Sequence, residues 1–320
     1  MKRYILRRAG IGVLMLWVVS LLVFVVPRLL PGDPTIQKVG TSPSIDKDTV
    51  DQLRRSMGLD DPILVQYAHW IGGMFRGDLG ESYFSQYSVV DLIGQRVAPT
   101  LLLAVGGVLV GVALAVPLAL LPQLRGGRVW GRIVGAYTTL GMAAPPFVFG
   151  IAAIALFNVQ FKVLPLEGYV SPLDDPVEAL RALTMPAMTL AIAVSAPLIR
   201  YLRSSLTDTL TAPYVRTARG KGVRARVVLT GHVLPNALLP ALTALGVIIG
   251  SVLGGVVIVE MVFRWPGLGS LLVDSVFKRD YAVVQSGVLL AAAAFLLVNL
   301  VVDILYGVLD PRLRGRGARA

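Results

Sequence analysis

The chain has 320 residues, of which 55% are hydrophobic and only 15% are charged, whereas soluble domains carry about 25% charged residues. Together with a mean hydropathy of +0.72, this composition excludes a water-soluble globule and indicates a membrane protein. The chain contains no Cys and two His. Disulfides and thiolate metal sites are therefore excluded, and we expect no metal centre.

Six apolar segments are long enough, or nearly so, to cross a bilayer core about 30 Å thick. The fourth is the weakest, because it is short and carries a proline at either end. The second, third and fifth segments contain internal prolines. Each proline leaves backbone groups without a hydrogen bond that lipid cannot supply, so these helices either line a pathway or are merely kinked. The segments cover residues 9–30, 97–121, 133–161, 184–199, 237–263 and 282–305, and the internal prolines are Pro117, Pro145, Pro146 and Pro240.

The distribution of charge predicts the orientation of these spans. Lys and Arg are concentrated before the first span, in the second and fourth connections and in the tail, whereas most Asp and Glu lie in the other connections. By the positive-inside rule, both termini are cytoplasmic. Membrane lipids are then sufficient partners for the net charge of +11, and no nucleic acid is needed to explain it.

The start of the chain combines a basic stretch with an apolar run, which is also typical of a signal peptide. The run is too long for a typical signal peptide, and residues 30–33 read Leu-Pro-Gly-Asp, which offers no small-residue cleavage site. We therefore expect a retained signal anchor.

Residues 31–96 form a long external insert for which two helices are predicted. Val50, Leu53 and Met57 repeat at helical spacing before Gly58, and a second amphipathic stretch runs over 64–74. The insert is either a docking surface for an external partner or a lid that covers the spans.

Residues 202–236 form a cytoplasmic connection that contains a predicted short helix. Pro213 suits its first turn, Tyr214, Val215, Ala218 and Arg219 share a face, and Gly222 permits a sharp stop. Composition alone favours a solvated basic loop, and the alternative is a helix that lies in a groove of another protein.

This connection resembles the EAA loop of ABC importer permeases, whose pattern is E-A-A, three residues, Gly, nine residues and I-x-L-P. Ala218, Gly222, Leu234 and Pro235 fall at matching positions, whereas Arg216 and Thr217 replace the first two letters and His232 replaces the Ile. The form YVRTARGKG followed by HVLPNALLP is similar to the dipeptide, oligopeptide and nickel branch of these permeases. Further similarities to that branch lie at 30–34 (LPGDP), 58–83, 144–147 (APPF), 260–269 (EMVFRWPGLG) and 299–312.

The resemblance implies an all-α polytopic membrane protein with six transmembrane helices of type I ABC importer architecture. A single permease domain would cover 1–320 and include the external insert 31–96, which resembles that of the B-type subunit, and the coupling loop 202–236. The implied partners are a second, C-type permease, one or two ATPase subunits, an external binding protein or lipoprotein, and a peptide substrate, in the cell membrane of a prokaryote. The residues implied in coupling to the ATPase are Tyr214, Arg216, Thr217, Ala218, Arg219, Gly222, Leu234 and Pro235.

The sequence has no Walker A motif, because Gly220-Lys221 is followed by Gly222 and Val215 stands where the first Gly should be. We therefore expect no enzymatic activity and no cofactor on this chain, with ATP and Mg²⁺ bound by the partner subunits.

Two other classes of protein compete with an ATP-driven permease. An ion-coupled secondary transporter needs ionisable residues near the middle of the membrane, and the predicted spans offer almost none. An intramembrane enzyme would rely on His69 and His232, which the predicted topology places on opposite sides of the membrane. Kinks and polarity suggest candidate pathway residues, although small-residue helix packing accounts for each equally well; they are Pro145, Pro146, Ser195, Ser251 and Glu260.

Overall fold

The computed structural model describes residues 2–29, 48, 55, 60–126, 128–166 and 168–309. Within these residues the regular structure is helical, apart from an isolated antiparallel bridge between Glu81 and Ser88. The all-α prediction is confirmed. The helices are α1 Lys2–Leu29, α2 Ile63–Phe75, α3 Val89–Arg125, α4 Arg128–Ala143, α5 Pro146–Ala153, α6 Pro176–Leu210, α7 Pro213–Gly220, α8 Ala225–Val227, α9 Leu234–Val262, α10 Leu268–Phe277 and α11 Tyr281–Leu309, with π-helical turns at Ile154–Gln160 and Val228–Val233.

Five helices in the described part of the chain are long and apolar enough to cross a membrane. The third predicted span, 133–161, is kinked, which is one of the two outcomes its internal prolines predict: the helix axis bends by 108° between α4 and the segment Pro146–Gln160. The bent pair, counted as one span, brings the number to the six that the sequence predicts. The five continuous spans are Leu6–Val26, Val89–Arg125, Pro176–Leu210, Ala225–Val252 and Tyr281–Val302.

The tandem prolines explain the bend. Neither Pro145 nor Pro146 has an amide hydrogen, and the ring of Pro146 forces the preceding residue out of the helical conformation. Pro145 accordingly has a ψ of 148° and caps the start of α5. Pro117 and Pro240, in contrast, lie inside continuous helices. A single proline is therefore tolerated here, whereas the pair breaks the span.

The chain divides into two compact units, and α6 is the central helix of the one that contains Thr100–Pro266. It packs against α4, α5 and α9, and Leu190, Val194 and Ile199 on it are fully buried. Protein covers 67% of its membrane-spanning window, the largest share among the five spans. This explains why the fourth segment has the weakest hydropathic signal, since a helix surrounded by protein needs less apolar surface than one that faces lipid.

Two glycines of α3 allow it to approach α6 closely. A Cβ atom on Gly107 would lie 2.5 Å from the side chain of Leu190, and one on Gly111 would lie 2.6 Å from Val194. Small residues at such positions let transmembrane helices pack through their backbones. Large apolar side chains are exposed on α3 at a spacing of four residues, which is typical of a lipid-facing stripe; they are Val97, Leu101, Val105 and Leu109.

The other unit contains Leu6–Pro99 and Gly267–Leu297, and in it α2 packs on α1. The hydroxyl groups of Tyr67 and Ser20 are 2.7 Å apart, and the buried ring of Phe24 lies 5.3 Å from that of Tyr67 and 5.6 Å from that of Trp70. The second predicted helix of the insert is thus present as α2 and covers part of α1.

The first predicted helix of the insert, with Val50, Leu53, Met57 and Gly58, lies outside the described residues. The short helix α10, in the last external connection, was not predicted. At 10 residues it is too short to span a membrane, and hydropathy alone cannot distinguish such a helix from a buried apolar loop.

Candidate coupling segment and pathway residues

The short cytoplasmic helix α7 begins where the sequence predicts. Ala212 is extended, with a ψ of 144°, and Pro213 follows as the first helical residue. A proline is favourable there, because the first amide of a helix has no intrahelical partner and the fixed φ of the ring suits the first turn.

One side of α7 is attached to the core of its unit. Val215 is fully buried, and Ala218 and Val223 pack against the same core. Tyr214 and Arg219, which the sequence placed on the same face as these residues, are exposed instead. The face that the helix presents outwards therefore consists of Tyr214, Arg216, Thr217 and Arg219.

Gly222 ends this helix with a left-handed turn. Its φ is +78°, and its N–H donates to the carbonyl of Arg219 while the N–H of Val223 donates to that of Ala218. These two bonds form a Schellman motif, which satisfies carbonyls that the end of a helix would otherwise leave free. The predicted stop at Gly222 is confirmed.

The second half of the EAA-type pattern joins α7 to the span α9. Val228, Leu229 and Val233 of the intervening π-helical turn are buried. Leu234 is half-buried and Pro235 is exposed in the first turn of α9. The segment thus links the exposed helix to a transmembrane helix through buried side chains.

The structure places the five candidate pathway residues in different environments. Ser195 is fully buried, and its hydroxyl lies 2.6 Å from that of Tyr137. Glu260 is also fully buried and accepts a 2.6 Å hydrogen bond from Thr100. Pro145 and Ser251 are exposed, whereas Pro146 is half-buried at the start of α5. No hydrogen bond joins any two of the five within the described chain.

Sequence reasoning missed a polar cluster around Asp280 in the other unit. Its buried carboxylate accepts hydrogen bonds from the hydroxyl of Ser82 and the backbone N–H of Tyr83. Burial raises the pKa of the Tyr83 phenol, the nearby Arg28 partly offsets this rise, and Asp280 adds to it. The only sequence signal was an Asp directly before a helix, because its partners are almost 200 residues away.

The described residues contain no group of His, Cys, Asp or Glu that could hold a metal ion. The model of binding-protein-dependent transport system inner membrane components matches residues 97–315, and the model of the N-terminal part of such components matches residues 1–104. The chain belongs to this family.

Individual relatives cover the permease almost completely. A putative peptide permease protein of Brucella suis is 37% identical over 318 residues, which is 98% of this chain and 99% of that protein. A probable peptide ABC transporter permease protein of Sinorhizobium fredii is 35% identical over 97% of this chain and 99% of its own. A glutathione transport system permease protein of Escherichia coli K12 is 36% identical over 98% of this chain and 99% of its own.

A solved structure, the crystal structure of an amino acid ABC transporter with histidines, shares the fold. It superposes with a TM-score of 0.51 at 19% identity and covers 70% of this chain and 94% of its own. The permease is therefore the membrane component of an ABC importer in the inner membrane of a prokaryote. This result also removes the ion-coupled secondary transporter as an alternative.

Proposed function

We propose that this permease forms half of a translocation path for short peptides and is driven by separate ATPase subunits. The path is completed by a second permease subunit, and an external binding protein delivers the substrate. ATP and Mg²⁺ are bound by the ATPase subunits. The single observation that carries the proposal is the anchored helix α7, which presents an exposed surface while Val215 fixes it to the core.

The geometry of α7 supports a role in transmitting force. A solvated loop would leave Val215 exposed and would not end in a Schellman turn. A rigid helix whose exposed face carries Tyr214, Arg216 and Arg219 suits a groove on another protein. A movement of that protein would reach α9 through the buried side chains of the π-helical turn, as in rigid-body switching between two permease halves.

The relatives support a peptide as the substrate. Two are named peptide permeases and one is named for glutathione, which is itself a tripeptide. The substrates in these three names are all peptides, and a short peptide is the class that covers them.

Reconstitution tests the proposal. The permease, the second permease and the ATPase subunits are placed in vesicles, and ATP-driven uptake of a labelled dipeptide is measured in the presence of the binding protein. We expect uptake only when all components and ATP are present. Accumulation of the dipeptide by this permease alone, driven by an ion gradient, would contradict the proposal.

A further inference from the structure

A cavity of about 200 Å³ lies within the unit that contains α2 and α11, on the side predicted to be external. Residues of α2, of the loop after it and of the first turns of α11 form its walls. They are His69, Trp70, Gly73, Asp78, Leu79, Gly80, Glu81, Tyr83, Ala282 and Gln285. The volume is below the roughly 300–1,000 Å³ of a site for a drug-sized ligand, so the cavity suits a group of about one amino-acid residue.

Gln285 is the buried polar group of this cavity. Its side chain is only 6% exposed, and the structure gives it no hydrogen-bond partner among the described residues. Its amide atoms are not among the fully enclosed polar atoms that lack a partner, so they reach the cavity, where water or a ligand can bond them. Since an amide both donates and accepts hydrogen bonds, a peptide unit would satisfy it.

Two carboxylates stand at the rim of the cavity. Asp78 and Glu81 are exposed and form no ion pair within the part of the chain that the structure describes. One oxygen of Asp78 accepts a hydrogen bond from the N–H of Gly80, which leaves its other oxygen and the side-chain carboxylate of Glu81 for a ligand. Two aromatic side chains, Trp70 and Tyr83, complete the walls and suit an ammonium group or an apolar side chain.

We propose that this cavity binds the amino-terminal residue of a short peptide. Glu81 and Asp78 hold the ammonium group, and Gln285 donates to the first carbonyl oxygen or accepts from the first peptide N–H. The inference rests on the proposed function, because it takes a peptide as the substrate. It adds a site at which this permease itself would recognise the free amino terminus before translocation.

Binding measurements on the assembled permease complex in nanodiscs, without the binding protein, test the site. Calorimetry compares dialanine with N-acetyl-dialanine, which lacks the ammonium group, and with dialanine amide, which keeps it. We expect dialanine and its amide to bind similarly and the acetylated peptide to bind at least tenfold more weakly. Glu81→Gln and Gln285→Leu should each weaken dialanine binding about tenfold, since each removes one polar interaction with the ligand.

Matched substitutions outside the cavity are the controls. Asp274→Asn and Gln95→Leu make similar changes at exposed positions and should leave binding unchanged, and thermal unfolding confirms that every variant is folded. Absence of dialanine binding, equal binding of the acetylated peptide, or unchanged binding in both cavity variants would overturn the site. In that case we would still expect ATP-driven uptake of dialanine by the same complex with the binding protein, and the proposed function would be unaffected. Loss of uptake with binding intact would instead refute the proposed function.

Discussion

Gly222 has a backbone conformation that residues with a Cβ atom rarely adopt. The left-handed region costs an L-residue about 1–2 kcal/mol, and the φ of Gly222 is +78°. Space is not the constraint, because a Cβ atom there would meet nothing within 4 Å. Only the turn therefore requires glycine, and the turn sets how α7 leaves the core.

We predict that Gly222→Val uncouples transport. The β-branched side chain strains the left-handed turn, so the Schellman bonds after α7 weaken and the helix loses its fixed position. ATP-driven dipeptide uptake by the reconstituted complex should fall severalfold at an unchanged level of permease in the membrane. Gly220→Ala is the matched control, because Gly220 is helical and also has open space around it. Full uptake in Gly222→Val would show that the turn is dispensable.

A second prediction separates the two candidate pathway serines. The chain has no Cys, so a single introduced thiol reports its own surroundings. In the assembled complex, Ser251→Cys should react with a hydrophilic thiol reagent, because Ser251 is exposed on α9 and would face the path. Ser195→Cys should be protected by its burial beside Tyr137. Protection of both thiols would indicate that Ser251 faces lipid or another helix.

At the scale of elements, the long apolar helices were predictable from the sequence because lipid imposes length and hydropathy on them. The prolines indicated that a bend at Pro145 was possible but did not establish it, since single prolines such as Pro117 leave their helix continuous. The pair breaks the helix because the ring of Pro146 forces the preceding residue, Pro145, out of the helical backbone conformation. The unpredicted α10 lies below the length at which hydropathy is informative.

The close packing of α3 on α6 gives a prediction about stability. Gly107→Ala places a methyl group 2.5 Å from Leu190, so the helices must separate, and we expect a loss of about 1–3 kcal/mol. Thermal unfolding in detergent measures it. Gly94→Ala on the same helix meets nothing within 4 Å and should be neutral or slightly stabilising, because alanine favours the helix. Equal melting of both variants would contradict the close approach.

The residues between the bridged Glu81 and Ser88 form a tight turn, here called the 82–87 hairpin, in which the N–H of Ser82 donates to the carbonyl of Tyr87. Asp280 holds this hairpin from outside. Asp280→Ala leaves the hydroxyl of Ser82 and the N–H of Tyr83 without their acceptor, at a cost of about 1–3 kcal/mol. Chymotrypsin should then cleave the hairpin at its aromatic residues severalfold faster than in the wild type, which mass spectrometry of the fragments detects. Asp274→Ala, at an exposed position, should keep the wild-type rate. An unchanged rate in Asp280→Ala would mean that other contacts hold the hairpin.

For the whole molecule, the local structure of the candidate coupling segment could be predicted, whereas its role stays a prediction and the pathway could not be predicted. The helix and its stop depend on residues that are close together in the sequence, so the spacing from Pro213 to Gly222 already indicates both. The pathway candidates were chosen from polarity alone, and a buried polar residue pairs with a distant partner that the sequence does not reveal. Glu260 pairs with Thr100 in this way. Ser251 differs from these buried polar residues because its side chain is exposed, and only the structure shows that exposure.

The predicted orientation of the whole chain is testable with two further single thiols. Ser85→Cys lies in the predicted external insert and Thr230→Cys in the predicted cytoplasmic connection, and both positions are exposed. An impermeant reagent should label the first in intact spheroplasts and the second only in inverted vesicles. The reverse pattern would overturn the orientation with both termini in the cytoplasm.

The central position of α6 has a consequence for biosynthesis. Its membrane-spanning window has a mean hydropathy of 1.8, the lowest of the five continuous spans, so lipid alone stabilises it least. One of its main packing partners, α9, emerges from the ribosome later. Nascent α6 must therefore be retained beside the insertion machinery until α9 arrives, and a chain truncated before α9 would expose it to quality-control proteases.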